Sequence, residues 1–339
     1  MQSSNEIEFR DKASLILAEI KKAKSVLLHC HPAPDPDSVC SALAMKFALE
    51  QLGIKATVIK GDSVISQGFA DFPGVGEILP KNFFEINIAD FDLFIILDSG
   101  SPQMISRLKP IEFPLSIKTI VIDHHASNQS YADINLIDLT SPAVAFVLFK
   151  LFKEWGIELT HDIALNLFIG IYTDTGGLRY PPTDHRVYQA VTELVGKAPA
   201  FYKAMFTMDN SNTKELLYFQ AIALNSIETY LGENIVIASV SQQALTDKKI
   251  LVKEISNSGI SNTLISVIGW NVGILMVEVE EKRVKMSIRS RDEVKFDVSK
   301  LAVALGGGGH RAAAGAVLNM SLDEARALVV AKAKELYNL

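Results

Sequence analysis

Cysteine is nearly absent from this chain. Only Cys30 and Cys40 occur in 339 residues, which excludes a disulfide scaffold and fits a reducing cytoplasm. The amino-terminal MQSSNEIEFRDK carries acidic residues and no apolar core, so it does not read as a secretory or transit segment. A membrane span would need about 20 predominantly apolar residues. The longest charge-free stretch toward the carboxyl end, between Glu254 and Glu278, is broken by Asn, Ser and Gly, so a membrane is not an expected partner. Surplus positive charge is also missing: 33 Lys and Arg stand against 39 Asp and Glu, a net charge of −6. Such a chain does not coat nucleic acid by charge alone. A polyanionic partner would have to be met by a local basic patch or by metal ions.

What is present describes a soluble globular protein. Hydrophobic residues make up 48% and charged residues 21%, and the length suits two domains. Charge divides along the chain: the last hundred residues carry 14 Lys and Arg against 11 Asp and Glu, so the acidity lies before them. Ser25–His31, Ala56–Lys60, Phe91–Asp98 and Ile117–Asp123 are short apolar, β-rich runs. Ser38–Leu52 and Ser141–Trp155 show helical spacing, and the alternation predicts an α/β domain with a mostly parallel sheet and flanking helices. A helical stretch is expected over Thr213–Leu231. Strands are expected at Asn234–Val240, Thr263–Trp270, Gly273–Glu280 and Arg283–Ser290, and a closing helix from Ser321. The expected organisation is an α/β domain over 1–190, a helical linker over 191–232 and a smaller α+β domain over 233–339.

Polar residues at the carboxyl ends of parallel strands converge on one crevice. Four such ends carry similar chemistry: His31-Pro32-Ala33-Pro34-Asp35-Pro36-Asp37, then Asp98-Ser99-Gly100-Ser101, then Asp123-His124-His125, and Asp174 within IYTDTGG. Singly, each has a structural explanation, such as Asp37 capping the helix that follows it or Asp98 starting a turn. Together they would place several carboxylates and imidazoles in one crevice, where the carboxylates repel unless a cation lies among them. An Asp and His donor set suits Mn²⁺, Mg²⁺ or similar ions, with Zn²⁺ and Fe²⁺ also open. A pair of ions is the standard apparatus for activating water at a phosphoryl centre. Cys30 and Cys40 flank the first motif, yet read as packing residues. His29 alternates onto the same face as His31, beside the site.

HPAPDPDSVCSALA, FIILDSGS, VIDHHAS and GIYTDTGGLRYPPT, in that order, resemble the metal-binding motifs of the DHH phosphoesterase superfamily. SIRSR and GGGGHRAAAGAV resemble the DHH-associated carboxy-terminal domain of its NrnA-type subgroup, which comprises oligoribonucleases, pAp phosphatases and cyclic-dinucleotide phosphodiesterases. The resemblance implies that His31, Asp35 and Asp98 hold one ion and that Asp37, Asp98, His124 and Asp174 hold the other, with Asp98 as the bridge. It implies Mn²⁺ as the usual metal, with Mg²⁺, Fe²⁺ or Co²⁺ as alternatives. His125 would face the substrate phosphate as hydrogen-bond donor and general acid, and Asp123 would orient the ligands. Arg289, Gly307, Gly308, Gly309 and His310 would hold substrate. Independently of the resemblance, an Arg clamps phosphate and consecutive glycines allow close backbone approach. Arg179, Arg291 and Arg311 are further candidate phosphate contacts.

Ala33, Pro36 and the SVCSA segment depart from the subgroup's first motif, and SVCSA resembles the inorganic pyrophosphatases of the superfamily. GGGGH and SIRS favour a nucleotide. The expected function is therefore a two-metal phosphoesterase acting on a small nucleotide or short single-stranded oligonucleotide, such as pApA, and on pAp. No long duplex is expected as a partner, and a homodimer is an allowed assembly. Cyclic di-AMP, inorganic pyrophosphate and a non-catalytic nucleotide sensor are the competing readings.

Overall fold

The computed structural model describes residues 4–252, 255 and 258–339. The chain divides into two compact units, residues 1–211 and 212–339. No helix among the described residues is long and apolar enough to cross a membrane.

In the first unit, α1 (Ser4–Ile20) leads into β1 (Ser25–His29), α2 (Pro36–Gln51), β2 (Lys55–Ile59), β3 (Leu93–Leu97), β4 (Lys118–Asp123) and β5 (Ile134–Ile137). Helices α3 (Val144–Trp155), α4 (His161–Asp174), α5 (His185–Lys197) and α6 (Phe201–Asp209) follow. The five strands are all parallel in the order β2-β1-β3-β4-β5. Alternate strand residues such as Val26, Leu28, Ile95, Leu97, Ile120 and Ile122 form one apolar face under α1 to α5. The other face, with Leu27, Phe94, Ile96 and Val121, is covered by irregular segments carrying Phe83, Ile105 and Ile117. A sheet buried on both sides explains why its strands read as unbroken apolar runs. The strand order reverses between β1 and β3, and at such a switch the two connections leave in opposite directions and open a crevice at the carboxyl ends.

The second unit begins with α7 (Lys214–Asn225) and continues through β6 (Glu228–Tyr230), β7 (Ile235–Val240), α8 (Gln242–Asp247), α9 (Ile260–Ile265), β8 (Val272–Glu280) and β9 (Arg283–Ser290). It ends with α10 (Val298–Ala304), β10 (Gly308–Gly309), β11 (Ala313–Leu318) and α11 (Leu322–Tyr337). Its six-stranded sheet runs β10-β11-β9-β8-β7-β6, antiparallel except for the parallel pair β7–β8. Ile237, Ile274, Met286 and Ile288 pack on one face with Leu301 of α10 and Val329 of α11. On the other face Val236, Ala238, Leu275 and Val277 pack with Phe219 of α7, Leu245 of α8 and Leu264 of α9.

Two expected elements differ. Thr263–Trp270 is not a strand: Gly259, at φ +70°, begins the six-residue α9, which runs into turns. Its β-branched residues look strand-like, but Ile260 and Leu264 lie one helical turn apart and both enter the core, so tertiary packing overrides local propensity. The helix expected to reach Leu231 stops at Asn225, and Glu228–Tyr230 instead pairs with Ile235–Ile237 as the edge strand β6.

Candidate functional site

Three of the four predicted loci follow strands: His31 lies beyond β1, Asp98 directly after β3, and Asp123, the last residue of β4, precedes His124 and His125. Asp174, expected at a strand end, is instead the last residue of α4. Helix α4 packs along α2 and delivers it to the same crevice.

All seven predicted residues meet there. His31, Asp35 and Asp98 bring one donor atom each within 4.8 Å of one another, and so do Asp37, His124 and Asp174; a third such group joins Asp98, Asp123, His124 and His125. His31 Nε2 is 3.2 Å from Asp35 Oδ2 and 3.6 Å from Asp98 Oδ2. His124 Nε2 is 3.2 Å from Asp174 Oδ2 and 3.8 Å from Asp98 Oδ1. Asp98 therefore lies between the two imidazoles. Its backbone is left-handed, at φ +52°, a conformation Asp and Asn tolerate better than most residues. The floor is buried, whereas His125 and Asp35 are about half exposed, at 45% and 49% of their side chains, so the site opens on their side.

The electrostatics are those of a site lacking positive charge. Burial, and then the neighbouring carboxylates of Asp37, Asp35 and Asp174, push the Asp98 carboxyl well above the usual range. Burial and Asp174 raise Asp37 to about 7. Burial opposes charging His124, but Asp174 and Asp37 together lift it to about 9. Among the described residues the buried atoms Asp98 Oδ1 and His124 Nε2 have charged neighbours but no well-aligned hydrogen bond. Buried polar atoms are rarely left so. His124 Nδ1 lies 3.3 Å from the Ser141 carbonyl oxygen, and donating there leaves the Nε2 lone pair directed into the cluster, as a metal-binding imidazole requires. Unpartnered oxygen and nitrogen donors crowded with carboxylates fit divalent cations of the Mn²⁺ or Mg²⁺ kind.

Supporting residues explain the local conformation. Asp35 Oδ1 accepts from Ser38 N and caps α2, leaving Oδ2 toward His31. Asp37, expected as a cap for its own helix, caps a different one: it accepts from Val144 N at 2.8 Å and Ala145 N at 3.0 Å, where Ala143 offers no side-chain cap to α3. Asp123 is fully buried and accepts from His124 N, His125 N, Asn128 Nδ2 and the His125 Nδ1. Burial would raise its carboxyl, but His125 and Asn128 hold it below the usual range. The ring of His125 is thereby fixed with Nε2 as its outward nitrogen. Among the neighbouring candidates, burial drives His29 down to about 3, and its ring meets the edge of Phe94. Cys30 and Cys40 are buried thiols, pushed upward by burial, and are inert packing groups.

Gly170 escaped the sequence reading. A Cβ there would lie 2.6 Å from Asp37 Oδ1 and 2.7 Å from Ala145 Cβ, so the missing side chain is what lets α4 close on α2 and α3 and carry Asp174 into place. An isolated glycine within an apolar helix was the available signal. Gly170→Ala is expected to cost roughly 1–3 kcal/mol through overpacking and to lower activity by displacing Asp37. A melting temperature and turnover equal to wild type would contradict this.

In the second unit Arg289 lies on β9, with Nη1 3.1 Å from the Ile288 carbonyl oxygen. Strand β11 separates it from Gly308 and Gly309 on β10. Two of the candidate glycines have packing reasons: a Cβ on Gly307 would meet the Gly315 carbonyl oxygen at 2.1 Å, and one on Gly309 would meet Ala314 at 2.5 Å. Gly308 faces open space. His310 closes the exposed hairpin by hydrogen bonds with Ala313. The remaining arginines have structural partners: Arg291 donates to the Ile265 and Val267 carbonyls, Arg311 pairs with Asp297, and Arg179 donates to the Gly176 carbonyl.

Matches to known domain families on the two units place the chain in the DHH superfamily. Residues 25–171 match the DHH family, N-terminal domain, and residues 232–336 match the DHHA1 domain. Within that superfamily the chain is of the NrnA type. It is 29% identical to the bifunctional oligoribonuclease and PAP phosphatase NrnA of Thermus thermophilus, covering 94% of this chain and 93% of the relative. With the NrnA of Bacillus subtilis it shares 22% identity, covering 91% and 94%. An exopolyphosphatase-related protein from Bacteroides fragilis has the same fold, with a TM-score of 0.86 over 97% of this chain and 98% of that one at 21% identity.

Proposed function

We propose that this protein is a metal-dependent hydrolase of phosphoester bonds that cleaves short single-stranded oligonucleotides and linear dinucleotides to 5′-mononucleotides and removes phosphate from pAp. The observation that carries this reading is the position of Asp98: a buried carboxylate with an unpartnered oxygen, lying between His31 and His124. His31, Asp35 and Asp98 would hold one divalent ion and Asp37, Asp98, His124 and Asp174 the other, with Mn²⁺ the first candidate. Bound there, such ions activate water and offset the charge on phosphoryl oxygens.

The chain's own groups supply the rest. Asp123 holds the His125 ring, so that Nε2 can donate to a phosphate oxygen and pass a proton to the leaving oxygen. In the second unit Arg289, the open backbone at Gly308 and the exposed His310 offer donors for a further phosphate. Relatives named as oligoribonucleases and PAP phosphatases support the substrate class, and the acidic total argues against binding long nucleic acid.

The test is a product assay on pApA, pAp, RNA of two to five nucleotides, cyclic di-AMP and pyrophosphate with Mn²⁺, Mg²⁺, Fe²⁺ or Co²⁺. Mononucleotides from pApA and short RNA are expected. Turnover of pyrophosphate with every nucleotide left intact would replace this reading with a pyrophosphatase, and no turnover at all would revive the sensor.

A further inference from the structure

One short segment of the first unit touches two of the three side chains that belong to the second ion alone. After β5, Asp138 N donates to the Asp123 carbonyl oxygen at 2.9 Å, which docks the turn 138–141 against the end of β4. The Ser141 carbonyl oxygen of that turn lies 3.3 Å from His124 Nδ1. Just beyond it, the first amides of α3, Val144 N and Ala145 N, donate to Asp37. Among the described residues no hydrogen bond joins 138–150 to the His31 and Asp35 of the first ion, which are bonded instead through Ser38.

Asp138 shapes this segment. Its Oδ1 accepts from Thr140 N at 2.9 Å and from Thr140 Oγ1 at 2.7 Å, and its Oδ2 accepts from Ser141 Oγ at 2.8 Å and from Lys150 Nζ. Lys150 stands further along α3, with Nζ 4.7 Å from the centre of the Phe9 ring of α1 and 5.3 Å from that of Phe146, positions that favour a cation. Asp138 and Lys150 expose only 14% and 27% of their side chains, so salt screens the pair weakly. Burial would raise the Asp138 carboxyl, but Lys150 and the hydroxyls of Thr140 and Ser141 bring it down to about 2. The pair closes residues 138–150 into a ring, and the turn and the helix start within it are held as one piece.

We propose that Asp138 and Lys150 are positioning residues for the second ion: their clasp sets the Ser141 carbonyl against His124 and the α3 amides against Asp37, so that one ion pair governs two ligands of one metal. The inference rests on the proposed binding of two divalent ions. A carbonyl that accepts from Nδ1 fixes the ring and turns Nε2 toward the cluster, and the amides that donate to Asp37 fix its carboxylate. Loss of the clasp frees the turn, and both ligands lose their shared frame together. The first ion keeps its own frame, because His31 and Asp35 are supported from Ser38.

The experiment measures Mn²⁺ binding by isothermal titration calorimetry on the full chain as wild type, Lys150→Met, Lys150→Arg and Asp138→Ala. Methionine keeps an apolar stem over the two rings and removes the charge, so the test stands even where Asp138→Ala does not fold. Two dissociation constants are expected for wild type. Lys150→Met raises one of them about tenfold and Asp138→Ala about 10- to 100-fold, the cost of losing an outer partner of a metal ligand, while the other constant is unchanged. Lys150→Arg returns a cation to the same rings and restores binding. In an Asp174→Asn background, which lacks a ligand of the second ion, the remaining constant does not respond to Lys150→Met; in an Asp35→Asn background it does. Equal weakening of both ions, weakening of the first alone, or unchanged constants overturns the proposal and leaves the clasp a stabilising ion pair. If wild type does not take up two Mn²⁺ ions the two-ion reading fails. Crystal structures of metal-free wild type and Lys150→Met then decide the positioning: His124 and Asp37 displaced with His31 unmoved supports it, and the same side chains left in place overturn it.

Discussion

Asp98→Asn is expected to reduce phosphoester hydrolysis by at least about 10³-fold while leaving the metal-free protein as stable as wild type or more so. The amide has the shape of the carboxylate, and Asn accepts the left-handed backbone of this position as readily as Asp does, so the substitution asks for no rearrangement. What it removes is charge. The carboxyl of Asp98 is driven well above its usual range by burial and by the carboxylates of Asp37, Asp35 and Asp174, so ionising it without a cation is unfavourable and its loss relieves repulsion. The same substitution weakens the donor that lies between His31 and His124. Thermal melts with and without Mn²⁺, alongside the rate assay, separate the two effects: Mn²⁺ should raise the wild-type melting temperature by binding the native state and should leave that of Asp98→Asn unmoved. Hydrolysis at the wild-type rate in the variant would sink the two-ion scheme.

Asp123→Ala should behave in the opposite way toward stability, although it alters the same cluster. Asp123 is fully buried like its neighbour, but it is saturated, accepting from His124 N, His125 N, the His125 ring and Asn128 at 2.6–3.3 Å. These donors hold its carboxyl below the usual range in spite of burial. Truncation strands partly buried donors and should cost roughly 1–3 kcal/mol, the range for leaving hydrogen-bonding groups unsatisfied. The expected readout is a lower denaturant midpoint at unchanged slope. Activity should also fall, by about 10- to 100-fold or more, because the residue orients His125 rather than supplying a donor to both imidazoles. Asp123→Asn keeps one acceptor oxygen and should fall between the two. Wild-type stability in Asp123→Ala would show that the hydrogen bonds around it contribute little.

The contrast between these two aspartates marks how far the site was legible in the chain. Both appear in the sequence as an acidic residue ending an apolar run, and chemistry at that level cannot tell a carboxylate awaiting a cation from one satisfied by four donors. Strand runs such as Leu93–Leu97 and Lys118–Asp123 could be read because a sheet buried on both faces needs continuous apolar residues. Asp174 was found as a residue but mislocated, since the apolar LNLFIGIY preceding it suits a buried helix as well as a strand. Thr263–Trp270 was misread for the same reason, and the six residues of α9 are too few for their period to declare itself. The carboxy-terminal glycines read as one group in the sequence, whereas their different duties are visible only against β11: Gly307 and Gly309 give room to a neighbouring strand, and Gly306 and Gly308 face open space.

Residue order is enough to name the residues of the Asp/His cluster, the parallel sheet that gathers them and the basic balance of the last hundred residues. These are properties of composition and of local period, which are written along the backbone. That Asp98 lies between two imidazoles, that Asp37 caps a helix more than a hundred residues away and that Gly170 makes room for it are matters of approach through space. Each depends on how tightly two elements pack and which face a third leaves bare, and those distances are set by the whole folded core rather than by any neighbour in sequence.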